Sequence, residues 1–454
     1  MGFGKTGIVA LGCFGALVLT GCASSDPAVG APPSGELRQE AVLEIHERGA
    51  DKGMFEQLDV AAVGGESLRG LSVPAAGVVW VSGAGGVVAR TSDSGSTWID
   101  VGITEAKEDG LDLRCIVAFD QAEAWAASSG PGEASRLFHT TDGGNSWVTV
   151  IRNTDPAGFY DGLAFWDRQN GMLLGDPTEG YLTVLVTGDG GESWERVGDA
   201  KAFALPAPAP VVVIDGDLSV GLTDEQRAAA AAEAQAFSDQ GDDAAAVVAM
   251  VAQAAQIEEA LNPMGEYCFA ASNQSIELMG RSTAWIGTGG KVARVFKTMD
   301  RGLNWTVATT PLLQGDEASG VFALAFRDFE NGVAVGGKYT DVYGQEGNCA
   351  VTSDGGETWR LVDDAPFGYR SSVCDVPGVG DMWMCVGTSG SSIAKDSQAQ
   401  EWSDYFEGVE SVEGGEGVAL NSVACDPKGQ ALWTVGARGY VARMPANVKE
   451  VVWD

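Results

Sequence analysis

Only two histidines, His46 and His139, stand in the 454 residues of this chain. A Ser-His-Asp hydrolase needs an imidazole beside its nucleophile and a histidine-ligated metal enzyme needs several, so the scarcity sets both classes aside. No C-x-x-C pair occurs among the eight cysteines, which leaves a zinc or thioredoxin-like centre without support, and no metal is expected. A glycine-rich loop between a strand and a helix is also missing, so no nicotinamide site and no other cofactor is expected. Basic residues are few, 28 Lys and Arg against 63 Asp and Glu, giving a formal net charge of −35. Such a surface repels a phosphate backbone, and nucleic acid is excluded as a partner. The same acidity also suits a protein adapted to salt, so the charge describes a habitat as readily as a ligand.

What is abundant is a repeat. Five stretches share the pattern T-x-D-x-G-x-x-W, from Thr91, Thr140, Thr187, Thr298 and Thr352 to Trp98, Trp147, Trp194, Trp305 and Trp359. Each has turn chemistry: the Asp (Asp93, Asp142, Asp189, Asp300, Asp354) accepts backbone N–H bonds, and the Gly is free to take positive φ. Successive Asp residues lie 49, 47 and 54 residues apart, the length of a four-stranded blade, with one interval of 111 between Asp189 and Asp300. A second repeat, an apolar run ending in small residues, starts at Val78, Glu123, Gly171, Thr283, Gly332, Met382 and Ala431. That makes seven units.

These motifs resemble the Asp-box, or BNR, repeat of β-propellers, found in sialidases, sortilin and the photosystem II assembly-factor-like family. The expected fold is therefore an all-β, seven-bladed β-propeller over residues 54–454, with a mainly helical insertion at 205–263 between blades three and four. Within the insertion, Thr223 and Gln226 fit a capping box for a helix to about Phe237, and Asp242 to Leu261 reads as a second. It is either a tolerated loop excursion without a role or a lid or docking arm. The sixth unit keeps only a damaged turn, Ala394 to Trp402, and the last has none, so Phe55 to Val60 is predicted to supply its outer strand and close the ring.

The N-terminus carries Lys5, an apolar run from Ile8 to Leu19, and Leu19-Thr20-Gly21-Cys22. This resembles a bacterial lipobox, which implies a signal peptide over residues 1–21, lipidation of Cys22 and a flexible tether over 22–53. The membrane is then a partner through the anchor, at the periplasmic side of the outer membrane or the cell surface. Six cysteines remain within the folded part. Cys374 and Cys385 would face each other across a hairpin turning at Val379 and Gly380; a bridge there and two ordinary buried thiols are both open readings.

Blade topology sorts residues onto faces. The Asp boxes, between strands three and four, belong to the underside as structural staples. Strand one opens on the top face with Arg69, Arg114, Asp161, Arg370 and Asn421, which should ring the channel mouth. Top loops add Glu133, Arg136, Asp176, Glu266, Asn273, Glu317 and Arg438. The ligand-binding candidates are Arg69, Arg114, Arg136, Asp176, Glu266, Asn273, Arg370 and Arg438, which would hold an anionic group on a protein or an acidic glycan. A rim of mutually neutralising Arg and Glu is the alternative. The sialidase resemblance implies an arginine triad, a Tyr assisted by Glu, and an Asp acid/base; Tyr160 or Tyr369, Glu133 or Glu317, and Asp161 are the catalytic candidates. Against it, Arg69 is followed by Gly70 and Leu71 instead of Ile-Pro, and seven units exceed the six sialidase blades.

Overall fold

The computed structural model describes residues 56–178, 181–197, 265–362, 365, 368–377, 382–396, 398–405, 419–429 and 431–444. The lipobox with Cys22, the tether and the 205–263 insertion lie outside the described residues. Within them the chain forms seven antiparallel sheets, six of four strands and one of six. Strand one of each blade contacts strand one of the next, and that of blade seven contacts that of blade one, so the sheets close into a ring. Closure uses the N-terminus as expected: Glu56–Leu58 pairs antiparallel with Val441–Met444, Leu58 opposite Val441. Blade seven thus borrows its outer strand, and the sheet edge it would expose is covered.

Each Asp box folds by one bonding scheme. In the first, Asp93 Oδ1 accepts the Thr97 amide at 2.8 Å and the Thr91 hydroxyl at 2.7 Å, and Oδ2 accepts the Thr97 hydroxyl at 2.6 Å. Thr91 Oγ1 in turn accepts the Gly95 amide at 3.0 Å. Ser146, Ser193, Asn304 and Thr358 play the part of Thr97 at the other four turns. These bonds favour the ionised carboxyl and hold Asp93 and Asp189 down at about 2. Ser94 and Gly95 both take positive φ, 60° and 87°, the left-handed pair that reverses the chain. The damaged turn of blade six keeps the scheme in part: Asp396 accepts the amides of Gln398, Gln400 and Glu401, and Ala399 (φ 49°) absorbs the extra residue.

The core lies between the blades. Trp80, Trp125, Trp285, Trp383 and Trp433, all on second strands, are fully buried. The tryptophan that ends an Asp box reaches back to the preceding blade: Trp147 stands edge-on to Trp80 at 6.3 Å, Trp194 to Trp125 at 6.0 Å, and Trp98 to Trp433 across the ring closure at 6.2 Å. Such edge-to-face pairs add to the burial of large apolar area. At the closure, a Cβ on Gly95 would come within 2.6 Å of Leu58 and 3.0 Å of Trp433, and Arg443 donates to the Ser94 carbonyl at 2.7 Å.

Of the two readings left open for Cys374 and Cys385, the register excludes the bridge. Cys374 pairs with Met384 and Cys385 with Val373, one residue away from the expected register, so the two side chains leave opposite faces of the sheet. Both thiols are free. Truncating Trp433 to Ala should cost about 3–5 kcal/mol, read from the denaturant midpoint. Val148→Ala, at a side chain 65% exposed, should stay within about 0.5 kcal/mol.

Candidate functional site

The first strands of the blades do not start regularly. Register shifts fall at Leu68/Gly70, Tyr160/Gly162, Val321/Ala323 and Leu420/Ser422, leaving Arg69, Asp161, Phe322 and Asn421 at four bulges near the top of the ring. A bulge re-aims the side chain it frees. Arg69, Asp161 and Phe322 line one cavity of about 240 Å³, together with Arg114, Phe159, Tyr339, Val342, Tyr369 and Thr388. A cavity of about 250 Å³ at the opposite end, by Thr352, Trp359 and Gln400, has no buried charged side chain in its lining.

The floor of the upper cavity is a segment that crosses the axis. From the short strand Glu266–Tyr267, the chain runs through Cys268, Phe269, Ala270 and Ala271, all buried and lining the cavity. The Arg69 guanidinium donates to the Ala271 carbonyl at 3.5 Å, Ser272 to the Ser371 carbonyl at 2.5 Å, and Gln274 to the Val423 carbonyl at 3.0 Å. Asn273 grips blade three, accepting from the Leu163 amide at 2.7 Å and donating to its carbonyl at 3.0 Å. One segment is thereby tied to blades one, three, six and seven.

The walls are aromatic and the charge is positive. Phe269 stacks on Phe322 at 3.9 Å, and Tyr369 stands edge-on to Phe322 at 4.8 Å. Burial, and then the Arg114 charge, lowers the affinity of Arg69 for its proton. Arg114 pairs with Asp112 at 2.7 Å. Asp161 is 1% exposed, and its Oδ2 is buried without a hydrogen-bond partner. Burial, followed by the neighbouring Asp176 carboxylate, pushes its carboxyl well above the usual range, while Arg114 opposes that shift. Asp176 accepts the Cys268 amide at 3.0 Å behind the wall.

The arrangement brings together Arg69, Arg114, Asp161 and Tyr369 from the expected set. Other members lie elsewhere. Arg370 is buried within blade six, donating to Ser389 at 2.6 Å and Ser392 at 2.8 Å, so it does not point to the channel mouth. Arg136 is neutralised by Glu105 and Asp109, each at 2.6 Å. Glu266 is fully buried and paired with Arg294, and Asn273 and Asn421 bind backbone. Arg438 and Glu317 are exposed outside the cavity lining. Glu133, with its side chain 70% exposed, faces Arg152 at 3.8 Å. Tyr160 packs in an apolar cluster with Trp125 and Leu163, its hydroxyl pushed up to about 12 by burial. Arg136 and Glu266 are held in ion pairs with opposite charges, whereas Arg370 is held by serine hydroxyls of its own blade. The sequence reading missed Phe322 and the crossing segment. Phe322 occupies the strand-one position of Arg69 and Asp161, a signal that aligning all seven first strands carries.

No protein-family model matches the chain. A stretch of 113 residues is 29% identical to the photosystem II assembly lipoprotein Ycf48 of Synechococcus sp. (strain CC9902), covering 25% of this chain and 31% of that relative. The match thus spans under a third of the relative's length. Among solved structures, Ycf48 from Cyanidioschyzon merolae is similar over 86% of this chain and 98% of its own, at 15% identity and a TM-score of 0.49. The GH74 xyloglucanase of Xanthomonas campestris is similar over 87% of this chain and 54% of its own, at 13% identity and a TM-score of 0.51. The latter likeness shows the propeller fold alone.

The raised carboxyl of Asp161 fixes a sign. Between the unfolded value near 4 and the higher folded one, the folded state holds a proton that the unfolded state has lost. Stability therefore falls as pH rises through that window. Asp161→Asn has no carboxyl to titrate, so the variant should gain on the wild type as pH rises above about 4, measured by denaturant midpoints at several pH values.

Proposed function

We propose that this chain is a lipid-anchored envelope protein that binds an anionic group of a partner protein in the cavity of its top face and acts as an assembly or stability factor. The observation that carries the reading is the cavity itself: two arginines and a buried, unpartnered Asp161 oxygen set among aromatic walls. Arg69 and Arg114 attract a carboxylate or similar anion in a protein that is otherwise strongly acidic. A cavity near 240 Å³ is below the usual size of a drug-sized ligand site and suits one inserted side chain or chain end. Phe159, Phe269, Phe322 and Val342 favour a group with an apolar body over a hydroxyl-covered sugar. The partial sequence similarity to a photosystem II assembly lipoprotein, and the Leu19 to Cys22 lipobox, support the anchor and the assembly role.

Glycan hydrolysis is the weaker reading. Among the described residues, no glutamate lines the cavity, and Glu133, Glu317 and Tyr160 lie apart from its arginines.

Capture of a partner from detergent-solubilised envelope by the purified full chain tests the proposal. Arg69→Glu and Arg114→Glu should each reduce the captured partner roughly tenfold or more, whereas Arg438→Glu should leave it unchanged. Equal capture by all three variants would refute the reading.

A further inference from the structure

The interface between blades six and seven aligns two thiols. Strand one of blade six, Ser372–Asp375, runs beside strand one of blade seven, Leu420–Cys425, and the Val423 amide donates to Ser372 Oγ at 2.8 Å. Ser372 therefore points at blade seven. Side chains two apart on a strand leave the same face, so Cys374 points there too. Val423 packs in one apolar cluster with Cys374, Met384 and Val386 of blade six, and Cys425, two residues beyond Val423, packs against that cluster. No register shift interrupts Ser372–Asp375 or the run from Ser422 to Cys425, so the parity holds on both sides. After burial, the neighbouring Cys425 is the largest influence raising the Cys374 thiol.

We infer that Cys374 and Cys425 form a disulfide between blades six and seven when the protein meets a disulfide oxidant. Cys425 is partly exposed and reacts first. Its thiolate attacks a sulfur of the oxidant's disulfide and expels one thiol; the Cys374 thiolate then displaces the second. Two protons leave the protein's thiols, and two electrons reduce the oxidant disulfide to two thiols. Burial, followed by Asp426 and Asp375, pushes the Cys425 thiol up to about 12, so exchange is slow near neutrality and accelerates with pH. The bond falls where the ring has least turn structure: no Asp box occurs in blade seven, and its outer strand is the three-residue Glu56–Leu58. Cys385 is not the partner, since it leaves the other face of the sheet and packs in a cluster with Cys349. An envelope location supplies the oxidising surroundings in which such bonds persist.

The test oxidises the purified, reduced full chain with oxidised glutathione, alkylates the remaining thiols under denaturation, and maps cross-linked peptides without reduction. A Cys374 to Cys425 peptide is expected in the wild type and in Cys385→Ser, but not in Cys374→Ser or Cys425→Ser. Oxidation should raise the unfolding midpoint by several degrees in the wild type and leave Cys425→Ser unmoved. Should Cys374→Ser fail to fold, Cys425→Ser, at a partly exposed position, carries the comparison. Alkylation of both Cys374 and Cys425 after oxidation, or a link from Cys374 to Cys385, would overturn the inference. Neither result depends on the top-face cavity, so the outcome is separate from that of the partner-capture experiment.

Discussion

The ring depends on the contact between an Asp-box tryptophan and the buried ring of the blade before it. A single four-stranded sheet has two faces to cover, and no blade covers its own. Trp147 on Trp80, Trp194 on Trp125 and Trp98 on Trp433 each carry apolar area from one blade into the next. The Asp carboxylate makes this contact reproducible, because its bonds to residues such as Thr97 and Thr91 set the direction in which the next residue, the tryptophan, departs. Trp98 on Trp433 is the same contact used once more, between the last blade and the first. Closure is therefore a continuation of the repeat, with Glu56–Leu58 filling the strand position that blade seven does not supply itself.

The top face follows from what the underside does not constrain. With each blade held at its turn, the first strands can begin irregularly, and bulges at equivalent positions deliver Arg69, Asp161 and Phe322 to one place. Burial, and then the neighbouring Arg114 charge, lowers the proton affinity of Arg69. Asp112 pairs with Arg114, and burial, followed by Asp176, raises the Asp161 carboxyl beside them.

Fold was legible because it is written in spacing. Five Asp boxes and seven apolar runs give the blade number and the period, and the likeness of Phe55–Val60 to the strands that follow each tryptophan points to the closing strand. The site was legible only in part. Topology places the start of every first strand on the top face, which finds Arg69, Arg114, Asp161 and Tyr369. It does not tell which side chains turn inward to the cavity and which turn aside. Arg370 finds Ser389 and Ser392 within its own blade, and Arg136 finds Glu105 and Asp109 on a short helix that no repeat announces. The Cys374 register failed for a related reason: one residue in a hairpin exchanges the two faces of a strand, and composition alone does not count it.

The crossing segment explains why an unpartnered carboxyl oxygen is sustained. A propeller encloses a central channel, and here Cys268 to Ser272 fill its upper part with buried side chains, turning a passage into a blind cavity. Leaving a buried polar atom unsatisfied costs about 1–3 kcal/mol. Collapse around Asp161 would relieve that cost, but Asn273 on Leu163, Gln274 on Val423 and Ser272 on Ser371 hold the floor to three other blades. The walls are fixed in the same way by the Phe269, Phe322 and Tyr369 rings. The strain is thus distributed over a frame that other contacts already determine. The proposed partner group, were it to hydrogen-bond Oδ2, would recover that cost and meet a site whose ordering has been completed by folding, which is the physical content of preorganisation.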